Sequence, residues 1–388
     1  MYCSFFKGLN IHLMEKSQNN QISENIKVSI ILPVWNPGSG IERCISSLRE
    51  QTLREIEMIF VDDCGTDGAM EKVRKAAAED PRVRIIRNPE NLGPGPSRNA
   101  GIAAARGEYL QFTDPDDYLD INYLEELYQE AVNNCLDIVK GRLVYETEDG
   151  TQIRHKDRNF YIKKGIDQGY PLFTVLTNQH QSLLISRSLL TKHQIFYGSS
   201  RCGEDSTFLL RLGYTEVSFG LCETGGTYHY KYREDSSMSS FNDRKLMNTL
   251  DGFREQIGFL LNRKIDLYAQ KYFLLRVEYM LVLHAKASSF PELEESAADF
   301  FSGLCEQVKR FPLADPSVSN NLYIRGLMKY KQNLLIKPYP SSFARPGLRD
   351  YMRTGMHTLR FVFQHPYELP AVIAEFSRII QRKLTGKL

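Results

Sequence analysis

Residues 56–67 read IEMIFVDDCGTD: a short apolar run, Ile56–Val61, that breaks off into Asp62, Asp63, Cys64, Gly65, Thr66 and Asp67. A β-branched and aromatic run of this length, ended by turn residues, is a buried strand opening into a polar loop. The same pattern recurs on both sides. Upstream, Lys27–Leu32 (KVSIIL) closes at Pro33 and is followed by Val34-Trp35-Asn36. Downstream, Val83–Arg87 leads into Asn88 to Asn91, and Tyr109–Thr113 (YLQFT) into Asp114-Pro115-Asp116-Asp117. Helical patterns fill the intervals at Glu42–Gln51, Asp67–Glu79, Pro94–Arg106 and Asn122–Asn134. Strands alternating with helices predict an α/β fold, a mostly parallel central sheet flanked by helices.

Composition narrows the class. The 388 residues are 42% hydrophobic and 25% charged, close to globular averages, which excludes disordered and fibrous chains. A formal net charge of +2 gives no global field that would draw nucleic acid. Seven cysteines without a CxxC pair signal neither a disulfide framework nor a zinc ribbon, so a reducing compartment is expected. Residues 1–25 form a tail without the continuous apolar core of a signal peptide. No run of about 18 apolar residues occurs. The expectation is a soluble cytoplasmic protein, at most peripheral at the inner face of the membrane.

In an open α/β sheet, ligands bind beyond the carboxyl ends of the strands, and all four polar clusters fall on that edge. So many carboxylates repel one another unless a cation or hydrogen-bond donors compensate. Asp114 and Asp116 make a D-x-D on a loop after a buried strand, which suits magnesium or manganese sharing its remaining positions with phosphate oxygens. Asp120 or Asn122 would serve to cap the following helix. The glycine-rich stretch Asn91–Gly101 (NLGPGPSRNAG) fits neither a P-loop nor a dinucleotide fingerprint. Its Arg98 is placed to pair with a diphosphate.

PVWN, VDDCGTD, NLGPGPSRNAG and FTDPDD, in that order, resemble the nucleotide-sugar-binding half of family 2 glycosyltransferases, which have the GT-A fold. The usual patterns are PxYN, VDDGSTD, NxGxxxARNxG and FxDxDD. Trp35 stands for the tyrosine, Cys64-Gly65 for Gly-Ser, and Ser97 for alanine. The resemblance covers about residues 26–145 and continues more loosely to about residue 240. It implies that Asp63, with Asp62 nearby, accepts from the donor base and ribose, with UDP-sugars favoured. Asp116 would bind the metal, Asp114 would face the ribose or sugar, and Pro33 and Asn36 would shape the nucleotide wall.

The second half adds Glu204-Asp205 followed by Phe208, similar to the family's E-D-x-x-F segment, whose aspartate is the general base. Inverting transfer needs one carboxylate to take the acceptor's proton, and Asp205 is assigned that role. Tyr228 to Arg233 alternates like a strand and, with Ser236–Ser239, resembles the family's aromatic-basic stretch. Lys231 or Arg233 would meet the departing diphosphate and His229 would add a metal contact, with Asp117 and Glu204 as further secondary candidates.

The expected organisation is a catalytic domain at 26–243, divided at about 145 into nucleotide-sugar and acceptor halves, and a helical region at 244–388. Long helical patterns run over Leu246–Ala287 and Pro291–Phe311, and the helical region is a candidate homodimer surface. Tyr367–Leu388 reads as a basic amphipathic helix, suited to an anionic membrane surface or to docking on the protein. The function expected is an inverting, metal-dependent glycosyltransferase acting on a glycan or lipid-linked glycan. The alternatives are a sugar-nucleotide nucleotidyltransferase and a non-catalytic sugar-nucleotide binder.

Overall fold

The computed structural model describes residues 12–13, 25–147, 150, 152–154, 165–167, 180–222, 224–231, 242–263, 265, 267–287 and 291–314. Arg233, Ser236–Ser239 and Tyr367–Leu388 lie outside the described residues. Contacts divide the chain into two compact units, Met1–Ser239 and Ser240–Leu388.

The first unit is built on β1 (His12–Leu13), β2 (Val28–Val34), β3 (Ile56–Asp62), β4 (Val83–Arg87) and β5 (Tyr109–Phe112), with α1 (Gly40–Arg49), α2 (Ala69–Glu79) and α3 (Pro94–Ala104) between them. After β5 come β6 (Tyr118–Leu119), α4 (Tyr123–Asn133), β7 (Ile138–Lys140), β8 (Arg142–Glu146), β9 (Gln152–Arg154) and β10 (Gly165–Asp167). The unit continues with β11 (Leu183–Ser186), α5 (Arg187–His193), α6 (Glu204–Gly213), β12 (Val217–Leu221) and β13 (Thr227–Lys231). The main sheet runs β1-β4-β3-β2-β5-β11-β7-β12-β10, and a smaller one β6-β13-β8-β9. Strands β4, β3, β2 and β5 are mutually parallel. Every residue of β2 and β3 is buried, as expected of strands covered on both faces.

Helices α1, α2 and α4 cover one face through Ile41, Leu48, Val73 and Leu127. Helices α3, α5 and α6 cover the other through Ile102, Leu190 and Phe208. Helix α3 lies close on β2 because Gly101 has no side chain: a β-carbon there would stand 2.3 Å from Ile31 Cγ2. The chain leaves β2 toward β3 on one side and reaches β5 on the other only after β4 and α3. That reversal opens a crevice at the carboxyl ends of β2 and β5.

Two boundaries differ from the sequence reading. Pro33 does not end its strand: β2 continues to Val34, with Pro33 registered against Val61. Proline is tolerated because the ladder to β5 stops at Ile31–Phe112, so no partner on that side needs its missing N–H. The pattern Leu246–Ala287 is two helices, α7 (Asp243–Leu261) and α8 (Leu267–Ala287). With α9 (Glu294–Arg310) they form the described part of the second unit. Phe273 stacks on Phe253 at 5.9 Å and on Phe311 at 4.1 Å in its core. No described helix is long and apolar enough to cross a membrane.

Candidate active site

Three loops meet at the crevice, and their aspartates do different jobs. The Asp62 carboxylate accepts from Cys64 N at 3.0 Å and has Arg87 and Arg74 at 3.8 and 4.0 Å. Cys64 holds the left-handed backbone (φ 61°) that bends this turn, at a place where the family pattern has glycine. Asp63 points into the neighbouring loop. Its Oδ1 accepts from Asn88 Nδ2 at 2.7 Å and Leu92 N at 2.8 Å, and its Oδ2 accepts from Gly93 N at 2.9 Å. Buried and bonded through both oxygens, Asp63 secures the loop that starts α3.

The two candidates for the nucleotide wall sit at the end of β2 and in the loop that follows it. Pro33 is buried within β2, and Asn36 uses its Oδ1 to accept from Thr66 N at 2.7 Å, tying the loop after β2 to the loop after β3. The side chain that stands out at this edge is Trp35, 56% exposed and the chain's sole tryptophan. Its position was legible in PVWN, but its exposure was not.

After β5 the three acids diverge again. Asp114 accepts from Arg98 Nη2 at 2.7 Å and from Gln181 Nε2 at 3.0 Å. Burial pushes its carboxyl up, but Arg98, His180 and the Gln181 bond outweigh this and hold it below the usual range. Asp117 is buried, accepting from Tyr228 Oη at 2.6 Å and Lys231 N at 2.8 Å. Burial, with Asp116 and Asp114 beside it, pushes Asp117 well above the usual carboxylate range despite those bonds. Burial also raises the Cys44 thiol and the Tyr230 phenol, and the charges of Asp114, Asp116 and Asp117 add to it. Each of these acids thus raises the cost of charging the groups beside it at the crevice floor. None of these aspartates caps α4: its N-cap is Asn122, which makes no side-chain cap bond, while Asp120 accepts from Thr227 N at 2.9 Å.

Arg98 is buried, with Nη1 on Glu204 Oε1 at 3.0 Å as well as Nη2 on Asp114. Arg98, expected at the diphosphate, is held here between two carboxylates. Glu204 and Asp205 open α6. Asp205 Oδ1 accepts from Ser206 N at 2.6 Å, and its other oxygen has no hydrogen bond among the described residues. Burial, reinforced by Asp205 and opposed by Arg98, pushes Glu204 up to about 7. The approach of α3 to this segment depends on Gly95, where a β-carbon would lie 2.4 Å from Gly198 O.

His229 and Lys231 turn away from these acids. On β13 the side chains alternate, so Tyr228 faces Asp117 while His229 stacks on Tyr118 at 4.2 Å and bonds Asp120 Oδ1 at 2.8 Å. Lys231 Nζ donates to Glu146 Oε1 at 2.8 Å. Burial pushes Glu146 up, but bonds from Lys231 and Tyr118, with Arg43 nearby, pull it down to about 2. His229, expected at the metal, and Lys231, expected at the diphosphate, are thus engaged with Asp120 and Glu146.

Sequence reasoning missed Gln181, Tyr197 and His180. Gln181 holds Asp114, and Tyr197 lies under the Arg98 guanidinium at 5.2 Å from its ring centre. His180 is buried edge-on to Phe112 and Tyr197, with neither ring nitrogen hydrogen-bonded among the described residues. Burial, with Arg98 adding, pushes it down to about 4, so it is neutral at pH 7. No local pattern marks these residues.

Residues 29–193 match the family model described as Glycosyl transferase family 2. GlyG, a glycosyltransferase of Streptococcus pneumoniae, is 34% identical over 136 residues, 35% of this chain and 42% of that protein. The EpsH protein of Bacillus subtilis is 27% identical over 291 residues, 71% of this chain and 80% of that protein. The poly(ribitol-phosphate) beta-glucosyltransferase of Bacillus spizizenii is 27% identical over 55% of this chain and 34% of its own. The chain thus spans most of EpsH but under half of the other two. TarS of S. aureus, solved in complex with UDP-GlcNAc, shares the fold with a TM-score of 0.60 at 20% identity, over 78% of this chain and 87% of that one. Four ordered motifs, the strand order and the family match agree: residues 29–193 carry a glycosyltransferase family 2 domain, on the GT-A fold.

Proposed function

We infer that the protein moves a sugar from a nucleoside-diphosphate sugar to a hydroxyl of a glycan or lipid-linked glycan, with inversion, as a step in building a polysaccharide. The observation that carries this reading is the Arg98 bridge. One buried guanidinium joins Asp114, at the end of β5, to Glu204, the neighbour of Asp205. Donor-side and acceptor-side carboxylates are thereby fixed in one frame, which an attack across the anomeric carbon requires. Relatives that bind UDP-GlcNAc or glucosylate a poly(ribitol-phosphate) support a UDP-sugar donor and a polymeric acceptor.

The charging cost shared by Asp114, Asp116 and Asp117 fits a divalent cation, and the donor set is the carboxylate oxygen that magnesium and manganese prefer. Among the described residues no three His, Cys, Asp or Glu side chains gather into a cage, so Asp116 would hold the ion together with phosphate oxygens. When bound, the ion neutralises charge developing on the leaving diphosphate. Asp205 accepts the acceptor's proton as that hydroxyl oxygen attacks the anomeric carbon, and the nucleoside diphosphate departs on the opposite side. Glu204, held by Arg98, keeps the start of α6 in place. Trp35 offers an aromatic face at the mouth where a nucleobase would lie.

The test is thermal unfolding with UDP-, GDP- and CMP-sugars, with and without manganese, followed by NMR of the product's anomeric configuration. One donor should raise the melting temperature in manganese, since binding to the native state stabilises it. No shift with any donor, or retention of configuration, would count against the reading.

A further inference from the structure

The cations around the crevice are mostly engaged by acids. Arg98 is buried between Asp114 and Glu204, and Lys231 is paired with Glu146. Arg201 differs. It is exposed, and among the described residues its guanidinium bonds only Asn91, with Nη1 to Oδ1 at 2.5 Å and Nη2 to the main-chain oxygen at 2.7 Å. Both acceptors are neutral, so this positive charge has no carboxylate partner among the described residues.

Its position is specific. Arg201 lies on the turn just before Glu204 and Asp205, and its side chain passes over Gly93. A β-carbon at Gly93 would be 3.5 Å from Arg201 Cγ and 3.9 Å from Nη1. Gly93 is the residue before α3, and its N–H is held by Asp63. Arg201 therefore reaches from the helix bearing the assigned base to the loop that Asp63 secures.

We propose that Arg201 recognises the donor's diphosphate, its guanidinium leaving Asn91 to take two phosphate oxygens. This rests on the nucleotide-sugar reading above. Solvent-exposed bonds to a neutral amide contribute little net free energy, whereas a two-pronged guanidinium–phosphate contact is charge-assisted and stronger. The planar fork that now spans two oxygens of Asn91 has the geometry for two oxygens of a phosphate. The exchange needs only rotation of a long, exposed side chain. Asn91 is then a competitor for the guanidinium: it occupies the fork until an anion displaces it.

The experiment titrates full-length wild type, Arg201→Gln, Arg201→Lys and Asn91→Ala with UDP, GDP, uridine and guanosine in manganese, at low and at moderate salt. Arg201→Gln should weaken the preferred diphosphate roughly ten-fold or more, leave its nucleoside unchanged and flatten the salt dependence. Arg201→Lys, which keeps charge but loses the fork, should fall between. Asn91→Ala should bind the diphosphate as tightly as wild type or more tightly. The assignment is overturned if Arg201→Gln binds the diphosphate as wild type does, or weakens nucleoside and diphosphate alike. It is also overturned if Asn91→Ala matches the loss, because Arg201 would then act only as a loop strap. Should Arg201→Gln fail to fold, the Arg201→Lys and Asn91→Ala titrations decide. Wild type that binds neither UDP nor GDP defeats the nucleotide-sugar reading itself; wild type that binds one, with Arg201→Gln its equal, defeats only the role of Arg201.

Discussion

Arg98 Nη2 donates to Asp114 Oδ1 at 2.7 Å, joining a buried guanidinium on α3 to a half-buried carboxylate at the carboxyl end of β5. The same guanidinium reaches Glu204, so one cation balances two acids that the chain brings together from different loops. Removing it strands both. Arg98→Met is expected to destabilise the protein by about 3–5 kcal/mol, the cost of leaving a buried charge uncompensated. Urea denaturation measures it; a change below about 1 kcal/mol would mean the acids are solvated after all.

The acids held by Arg98 carry opposite pH signatures. Glu204 is pushed up to about 7 by burial and Asp205, so the folded state prefers it protonated. Its contribution is complete below its ordinary value near 4.5 and is lost as pH rises through about 7. Wild type should therefore lose up to ~3 kcal/mol relative to Glu204→Gln across that window. Asp114, held low by Arg98 against burial, acts the other way: its contribution is present above its ordinary value of 3.8 and is lost only in stronger acid. Chemical denaturation at several pH values reads both limbs, and parallel profiles for wild type and Glu204→Gln would contradict the Glu204 assignment.

Asp63 accepts from three donors, Asn88 Nδ2, Leu92 N and Gly93 N. Asp63→Ala leaves buried N–H groups unpaired and should cost about 2–4 kcal/mol. Asp63→Asn should recover only part of that, since a single amide oxygen replaces two carboxylate oxygens. Amide hydrogen exchange localises the effect: Leu92 and Gly93 should lose protection first. Retained protection there would remove Asp63 from its anchoring role.

Asp205 and Asp116 should separate kinetically. Asp205→Asn is expected to cut kcat by roughly 10²–10⁴ with donor affinity kept, as for a lost general base. Asp116→Asn should instead weaken donor binding in manganese and abolish the difference between manganese and chelator. Near-normal turnover in the first variant, or an unchanged metal response in the second, would reassign those residues.

The sheet was largely legible before folding was considered. The runs at Ile56–Val61 and Tyr109–Thr113 announce buried strands by their own composition, and the acids after them mark the carboxyl edge. Helix bounds moved by a residue or two, because end turns depend on caps that flanking loops supply; Asn122 stands at the N-cap of α4, yet its side chain donates to Glu126 instead of accepting from the helix's first N–H groups. The site was only half legible. That Asp63, Asp114 and Glu204 matter follows from their motifs. Which of them faces inward does not: Asp62 and Asp63 are adjacent, yet one meets two arginines and the other three loop donors. The partners of His229 and Lys231 were hidden for the same reason, since alternation on β13 fixes two faces without saying what each one meets.

Local chemistry thus determined the alternation of strands and helices and the row of acids at one edge, because period and polarity are properties of neighbouring residues. Tertiary structure alone decided the pairings. Arg98 meets Glu204 across 106 positions and Arg201 meets Asn91 across 110. Charge–charge energies depend on distance and burial rather than on spacing along the chain. The arginine held between two buried acids and the arginine left with a neutral partner therefore became distinguishable only once the chain had folded.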